Sequence, residues 1–505
     1  MLACELGLAG IRPVVLDPIP GPDPRPKVNR IVGQAARILD HRGLYNVLAG
    51  TSEPPKPAPG YMFAGFPLDF AAVPDSQLYV VPVSQQGLVQ MFAERADDYQ
   101  TDIRWGHALT GFDQHDDGVT VHVAGPDGAY DLTANYVVGA DGGTSKTRHL
   151  AGIGFPGMSS YDLVMRIGFD VQPPDEWIEK VSGTPRPPEP GHLPPQRFYR
   201  TDRGVFAYGA LGNRVAVMTY ELDSSAREQR VDDIPDEPMS LAELEASAER
   251  VLGTAVPLRP TSPDAPLDLR QFGGINSRIA SQYQVGRVLL VGDAAHVHSP
   301  IGGPGLNLGL QDGVNLGWKL AAVLRGRVDP ALLATYETER RPAAERLIMQ
   351  SRAQLALFRP GLEVTALRDL FSELLTDPDN VRRISDLLSG ADVRYAHAAD
   401  AHPLVGSWVP DFSVAGDTAT RRIAELARDG RPLLVDLTEG GAVAATVADV
   451  AAELTLATGR AVGEIAATAV LVRPDGHVAW ASSQTVPDAA ELRELRGALT
   501  HWFGI

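Results

Sequence analysis

Asp293 stands at the end of an apolar run, Val288-Leu289-Leu290-Val291-Gly292, and the chain then passes His296, His298 and Pro300 into Gly302-Gly303-Pro304-Gly305. A strand that ends in a carboxylate, followed by a glycine-rich turn that opens a helix over residues 306–324, gathers an acceptor and a row of free backbone N–H groups at one spot. That arrangement suits a large, hydroxylated, electron-rich ligand. A second strand-end carboxylate is Asp141, in Val138-Gly139-Ala140-Asp141-Gly142-Gly143, with Ser145 and Arg148 just beyond. An Asp-Gly pair alone marks a turn; its interest lies in its pairing with Gly292-Asp293. A third, Asp17, ends the apolar run 11–16. At that place in a dinucleotide fold an acid hydrogen-bonds a ribose diol; the alternative is an Asp that caps the strand before Pro18. His296 and His298 are candidates for acid-base work, against which stands a packed, hydrogen-bonded role that this kind of motif favours.

The elements that must position these groups follow from periodicity. Residues 1–10 read as a helix and 11–16 as a buried parallel strand, so the chain opens inside a helix. In a βαβ nucleotide fold a strand and a G-x-G-x-x-G turn precede that helix, and this phosphate loop is expected to lie upstream of Met1. Helices are expected over 33–42, from Gln85 to 96, and over 336–357, where Glu337, Glu339, Arg340 and Arg341 read as a solvated face. Hairpin strands are expected across 102–124 around Asp116-Asp117-Gly118. Residues 156–275 carry Pro-rich loops such as 185–195 and alternating segments at 205–208 and 214–220, which suit an antiparallel sheet with one covered face, an inserted substrate-binding layer. From residue 398, a strand at 431–437, a helix, a hairpin around Asp475-Gly476 and a closing helix over 488–502 resemble a thioredoxin-like domain. Without Cys-x-x-Cys it cannot exchange disulfides, so its role is structural or at an interface.

At 505 residues with 44% apolar content the chain reads as a globular protein of two or three domains. A formal net charge of -18 argues against nucleic-acid or anionic-membrane partners, which need Lys and Arg to neutralise phosphates. The single cysteine, Cys4, permits neither an intramolecular disulfide nor a Cys-rich metal site and points to a reducing, cytoplasmic setting. No run approaches the roughly 20 apolar residues that span a bilayer.

Taken together, the Asp141 motif, the run 286–296 and the turn 300–307 resemble the group A FAD-dependent monooxygenases, the para-hydroxybenzoate hydroxylase-like family, and within it the aromatic polyketide hydroxylases with a third domain. The two Asp motifs in this order, about 150 residues apart with the glycine turn after the second, carry the likeness. The resemblance implies an α/β fold: a Rossmann-like FAD-binding domain of the glutathione reductase type (1–155 and 276–397, its first strand absent), an inserted antiparallel-sheet substrate domain (156–275) and the thioredoxin-like domain (398–505). It implies FAD as cofactor, NADPH or NADH as co-substrate, and hydroxylation of a small aromatic, polycyclic polyketide substrate through a C4a-hydroperoxyflavin, by a monomer or homodimer. Asp293 would hold the ribityl hydroxyls, while Gly305, Leu306 and Asn307 would meet the isoalloxazine at a helix N-terminus, which stabilises negative charge. Asp141 matches the Asp-Gly position, Asp17 the ribose acid, Lys27 the basic residue that is often Arg, Gln85 the glutamine opening the second helix, and Leu109 a position by the adenine. The Pro300 carbonyl would face the substrate. Pro304 departs from the family's usual Gln. Baeyer-Villiger oxygenation of a polyketide ketone and a flavin-free scaffold are the rival readings.

Overall fold

The computed structural model describes residues 1–23, 30–73, 75–174, 197–211, 214–222, 239–263, 267–301 and 303–505. Lys27, Gly302 and the Pro-rich loop 185–195 lie outside them.

Two short parallel ladders form the nucleotide-fold part. Val288–Leu290 is wholly buried and runs parallel to Val137–Gly139, in the register Val137↔Val288 and Gly139↔Leu290. Because both strands end at the same edge, the Asp141 and Asp293 turns emerge side by side, the place where open α/β sheets bind ligands. Val14–Asp17 pairs in parallel with Asp102–Trp105 in a separate ladder, and Val14 is 45% exposed. Among the described residues no strand joins the two ladders. The helices Leu2–Leu8, Gln34–His41 and Gln85–Asp98 pack around the long helix Gly305–Leu324, which begins one residue before its expected start. The expected hairpin is present as Ala108–Gln114 and Val119–Gly125, and a third strand, Gly128–Ala134, extends it.

A six-stranded antiparallel sheet follows in the order Arg197–Arg200, Gly204–Leu211, Arg214–Leu222, Gly157–Phe169, Asp268–Ile279, His296–Val297. The alternation suggested one covered face, but both are covered. Phe206, Tyr208 and Val217 point to the helix Leu241–Leu252 through Leu244, Ala248 and Val251. On the other face Leu163, Met165, Val205 and Tyr220 meet Ile301, Leu355 and Phe358. Here side chains alternate between two apolar layers, so a period-2 signal was present but its polar half was not. The last strand, His296–Val297, is the segment between Asp293 and Pro300, so the six-stranded sheet leads directly into the glycine turn.

At the C-terminal end Leu433–Asp436 lies between Thr455–Thr458 (parallel) and Ala469–Val472 (antiparallel), with Val478–Ser482 outermost and the helix Ala489–Phe503 closing one face. That layer shares a core with Trp318 and Leu332 of the nucleotide-fold part. The helix Ala334–Phe358 corrects the expectation of a solvated charged face: Glu339 and Arg340 are buried, 7% and 1% exposed, and only Glu337 and Arg341 lie nearer the surface. Their partners come from distant segments, which helical spacing cannot reveal.

Candidate functional site

The site is assembled around the first turn of Gly305–Leu324. Its N-cap is Pro304, which supplies no side-chain acceptor, so the leading N–H groups are left for a ligand and carry the positive end of the helix dipole. Asp293 sits exposed in the one-turn 3₁₀ segment Gly292–Ala294. His298 donates from Nδ1 to the carbonyl of Ser299 at 2.7 Å, which places the ring proton on Nδ1 and leaves Nε2 as a bare acceptor. Burial pulls this imidazole down to about 4, so it is neutral near pH 7. A Cβ at Gly305 would fall 2.8 Å from His298 Nε2 and 3.7 Å from Asp293 Oδ1, so two acceptors converge on a space that only glycine leaves open. This cradle fits FAD: the acceptors match a polyhydroxyl chain and the helix N-terminus matches the electron-rich edge of an isoalloxazine ring.

What holds the cradle in place is a buried ionic group that the sequence did not announce. Asp312, one turn and more into the helix, accepts from His296 Nε2 at 2.6 Å, from Arg340 Nε at 2.8 Å and from the Gly292 N–H at 3.2 Å. Burial would raise the Asp312 carboxyl, but His296 and Arg340 outweigh it and hold it below the ordinary range. The Asp312 group thus fixes both ends of the Asp293 segment against the helix, and His296 is a structural residue. Gly292, at φ +59°, also allows a close approach to the helix at Gly309, where a Cβ would lie 3.3 Å from the Gly292 Cα. The missed signal was a lone carboxylate in the apolar stripe Leu308, Asp312, Leu316.

The expected site residues fall into groups. Asn307 is buried; its Oδ1 accepts from the Val32 N–H at 2.8 Å and its Nδ2 donates to the Gly303 carbonyl at 3.1 Å, so its side chain braces the turn. Leu306 packs beside Met91 and Leu88 of the helix that Gln85 opens. Both Asp141 oxygens are engaged, by Ser145 Oγ at 2.5 Å and by the Thr147 N–H and Oγ1 at 2.8 and 3.0 Å. This carboxylate therefore fastens its own helix, and Arg148 ties the two turns by donating to the carbonyls of Ala294 and Gly143. The Pro300 carbonyl accepts from the Gly303 N–H at 2.9 Å and closes the turn. Asp17 ends the other ladder and Leu109 lies on the adjoining hairpin strand Ala108–Gln114: His107 N–H donates to the Asp17 carbonyl at 2.9 Å, and Leu109 joins Leu16 in one apolar cluster. Asp17 Oδ1 accepts from the Ile19 N–H at 3.1 Å and caps the strand end; a carboxylate retains further lone pairs for a diol.

Comparison with known proteins agrees with this geometry. A family model described as FAD binding domain matches residues 1–351, and one described as aromatic-ring hydroxylase, C-terminal, matches residues 402–505. The chain is 37% identical over 517 residues to the 12-dehydrotetracycline 5-monooxygenase/anhydrotetracycline 6-monooxygenase of Streptomyces rimosus, covering 100% of this chain and 96% of that protein. It is 31% identical over 508 residues, with the same coverage, to a dialkyldecalin synthase of Streptomyces rugosporus. The solved structure of an anhydrotetracycline hydroxylase from Streptomyces rimosus matches with a TM-score of 0.83 at 33% identity, covering 100% of this chain and 96% of that one. The chain belongs to the FAD-dependent aromatic-ring hydroxylases, flavoprotein monooxygenases whose cofactor is FAD.

Proposed function

We propose that this enzyme hydroxylates an electron-rich ring of a polycyclic aromatic polyketide, with NADPH or NADH as reductant, in the cytoplasm. One observation carries the reading: the Asp293–His298 cradle continues, through the strand His296–Val297, into the apolar inner face of the antiparallel sheet. Cofactor and aromatic substrate would then share one water-poor chamber.

The protein's part is positioning and exclusion. Asp293 and His298 Nε2 would accept hydrogen bonds from the ribityl hydroxyls, and the open N–H groups at Gly305 to Asn307 would favour negative charge on the reduced ring. Asp17, Gln85, Leu109 and Lys27 serve the nucleotide end, and the Asp141 turn, tied down by Arg148, shapes the wall between. When bound, FAD supplies the activated oxygen. The turn at Pro300, braced by its bond from Gly303, presents one ring position to it, and the apolar face at Tyr220 and Phe358 keeps water out. Overall, O2, NAD(P)H and a proton give one hydroxyl on the ring, one water and NAD(P)+. Among the described residues no cluster of His, Cys, Asp and Glu is placed to hold a metal ion. No described helix is long and apolar enough to cross a membrane, and a net charge of -18 speaks against a nucleic-acid partner.

The likeness to a dialkyldecalin synthase supports a second reading, in which the same chamber binds flavin and shapes a ring-forming substrate without redox turnover. Isotope-labelled dioxygen separates the two. With FAD, NADPH and anhydrotetracycline, or another polycyclic phenol from a panel, monooxygenation gives a product heavier by one labelled oxygen. Product formed without label or NADPH consumption would establish the second reading.

A further inference from the structure

A small cavity of about 50 Å³ opens behind the glycine turn, bordered by Ile301, Pro304 and Asn307 on one side and by Gln350, Gln354 and Asp392 on the other. The amide orientations follow from a chain of obligatory bonds. The Ala64 N–H, at the tip of the hairpin Gly60–Phe63 and Phe66–Asp69, can only donate, and it donates to Gln354 Oε1 at 3.1 Å. Gln354 Nε2 must therefore face Gln350, where it meets Oε1 at 3.4 Å. That leaves Gln350 Nε2 directed away from Gln354, and no acceptor for it occurs among the described residues. Both glutamines are nearly inaccessible, 2% and 3% exposed. Asp392, which also lines the cavity, spends Oδ2 on Arg346 Nε at 2.7 Å, while its Oδ1 is buried with no partner. A buried acceptor without a partner is costly unless something fills the space beside it.

Resting on the reading of an aromatic hydroxylase, we propose that this cavity is a specificity subsite for a ring edge that bears a hydroxyl beside a carbonyl. Gln350 Nε2 donates to the carbonyl oxygen and Asp392 Oδ1 accepts from the hydroxyl. The volume holds roughly three or four waters, enough for the polar edge of a ring though not for a whole fused system. Apolar walls at Val32, Leu308 and Leu347 suit the carbons of that edge. Since Pro304 and Asn307 also form the flavin cradle, a ring anchored here sits within reach of the turn at Pro300. The subsite would thereby select which ring is presented for oxygen transfer.

The test uses the full chain loaded with FAD and titrated calorimetrically with alizarin, whose hydroxyl lies beside a quinone carbonyl. Gln350→Leu should weaken alizarin binding about ten-fold or more, the loss of one hydrogen bond to a buried partner, with the bound-flavin spectrum unchanged. If that variant fails to fold, Gln350→Glu, which replaces the donor by an acceptor, should weaken binding at least as much. Equal affinity of wild type and a folded variant, or no alizarin binding by the FAD-loaded wild type, overturns the subsite. A wild-type chain that retains no FAD overturns the flavoprotein reading instead.

Discussion

At the scale of single residues, Asp293 and His298 carry the cofactor argument in different ways. Asp293 was legible because a carboxylate after an apolar run and before a glycine turn has few other uses. His298 was not, because its role depends on a ring proton held by the Ser299 carbonyl and on its closeness to Gly305, neither of which spacing encodes. On the proposed site, Asp293→Ala would remove a charge-assisted hydrogen bond to the ribityl chain worth about 1.5 to 3 kcal/mol. The FAD dissociation constant should rise roughly ten- to hundred-fold, measured by flavin fluorescence titration; unchanged retention would remove Asp293 from the site. His298 makes a second prediction. Its folded value of about 4 lies below the ordinary 6.5, so between these the unfolded chain binds a proton that the folded chain refuses. Its contribution is complete above pH 6.5 and is lost as the pH falls towards 4. The stability difference between wild type and His298→Gln in urea should be flat above pH 6.5 and shrink below it, whereas a flat difference down to pH 4 would contradict the neutral, enclosed ring.

At the scale of elements, helices and strand ends were readable from periodicity, and the three helices that matter most near the site begin within a residue or two of their expected positions. Two things were not. A strand of two residues, His296–Val297, is too short to leave a period, yet it joins sheet and site. The Asp312, His296, Arg340 group brings together two helices and that short strand, and each of these side chains alone resembles a surface residue in sequence. Removing one partner of a buried ion pair strands the other, at a cost of about 3 to 5 kcal/mol. Asp312→Ala should therefore lower unfolding free energy by that order and weaken FAD binding through the displaced Gly292 turn. A loss under about 1 kcal/mol would show that the group is dispensable.

At the scale of the whole molecule, the C-terminal layer is welded to the flavin-binding part by buried charge. Glu339 accepts from Nη1 and Nη2 of Arg473 at 2.7 Å and from Lys319 at 2.6 Å, while Arg473 also reaches Asp475 at 2.5 Å. Burial alone would raise Glu339, but Arg473 and Lys319 bring it to about 2; burial pulls Lys319 down to about 7 although Glu339 opposes the fall. From sequence the third domain's role was only placed as structural or interfacial, since its partners lie on helices far away in the chain. The network assigns unequal weight to its members. Glu339→Gln strips the shared partner from two cations and should cost about 3 to 5 kcal/mol. Lys319→Met leaves the Arg473–Glu339 pair intact and should cost under about 1.5 kcal/mol. Equal losses in urea unfolding, followed by the fluorescence of nearby Trp318 and Trp502, would refute that hierarchy.

The most direct test of the cofactor site is a crystal structure of the full chain with FAD. A ribityl hydroxyl is expected within hydrogen-bond distance of Asp293 and of His298 Nε2, with the isoalloxazine edge against the N–H groups that open Gly305–Leu324. Flavin seated elsewhere, or a ribityl chain that touches neither residue, would contradict this placement.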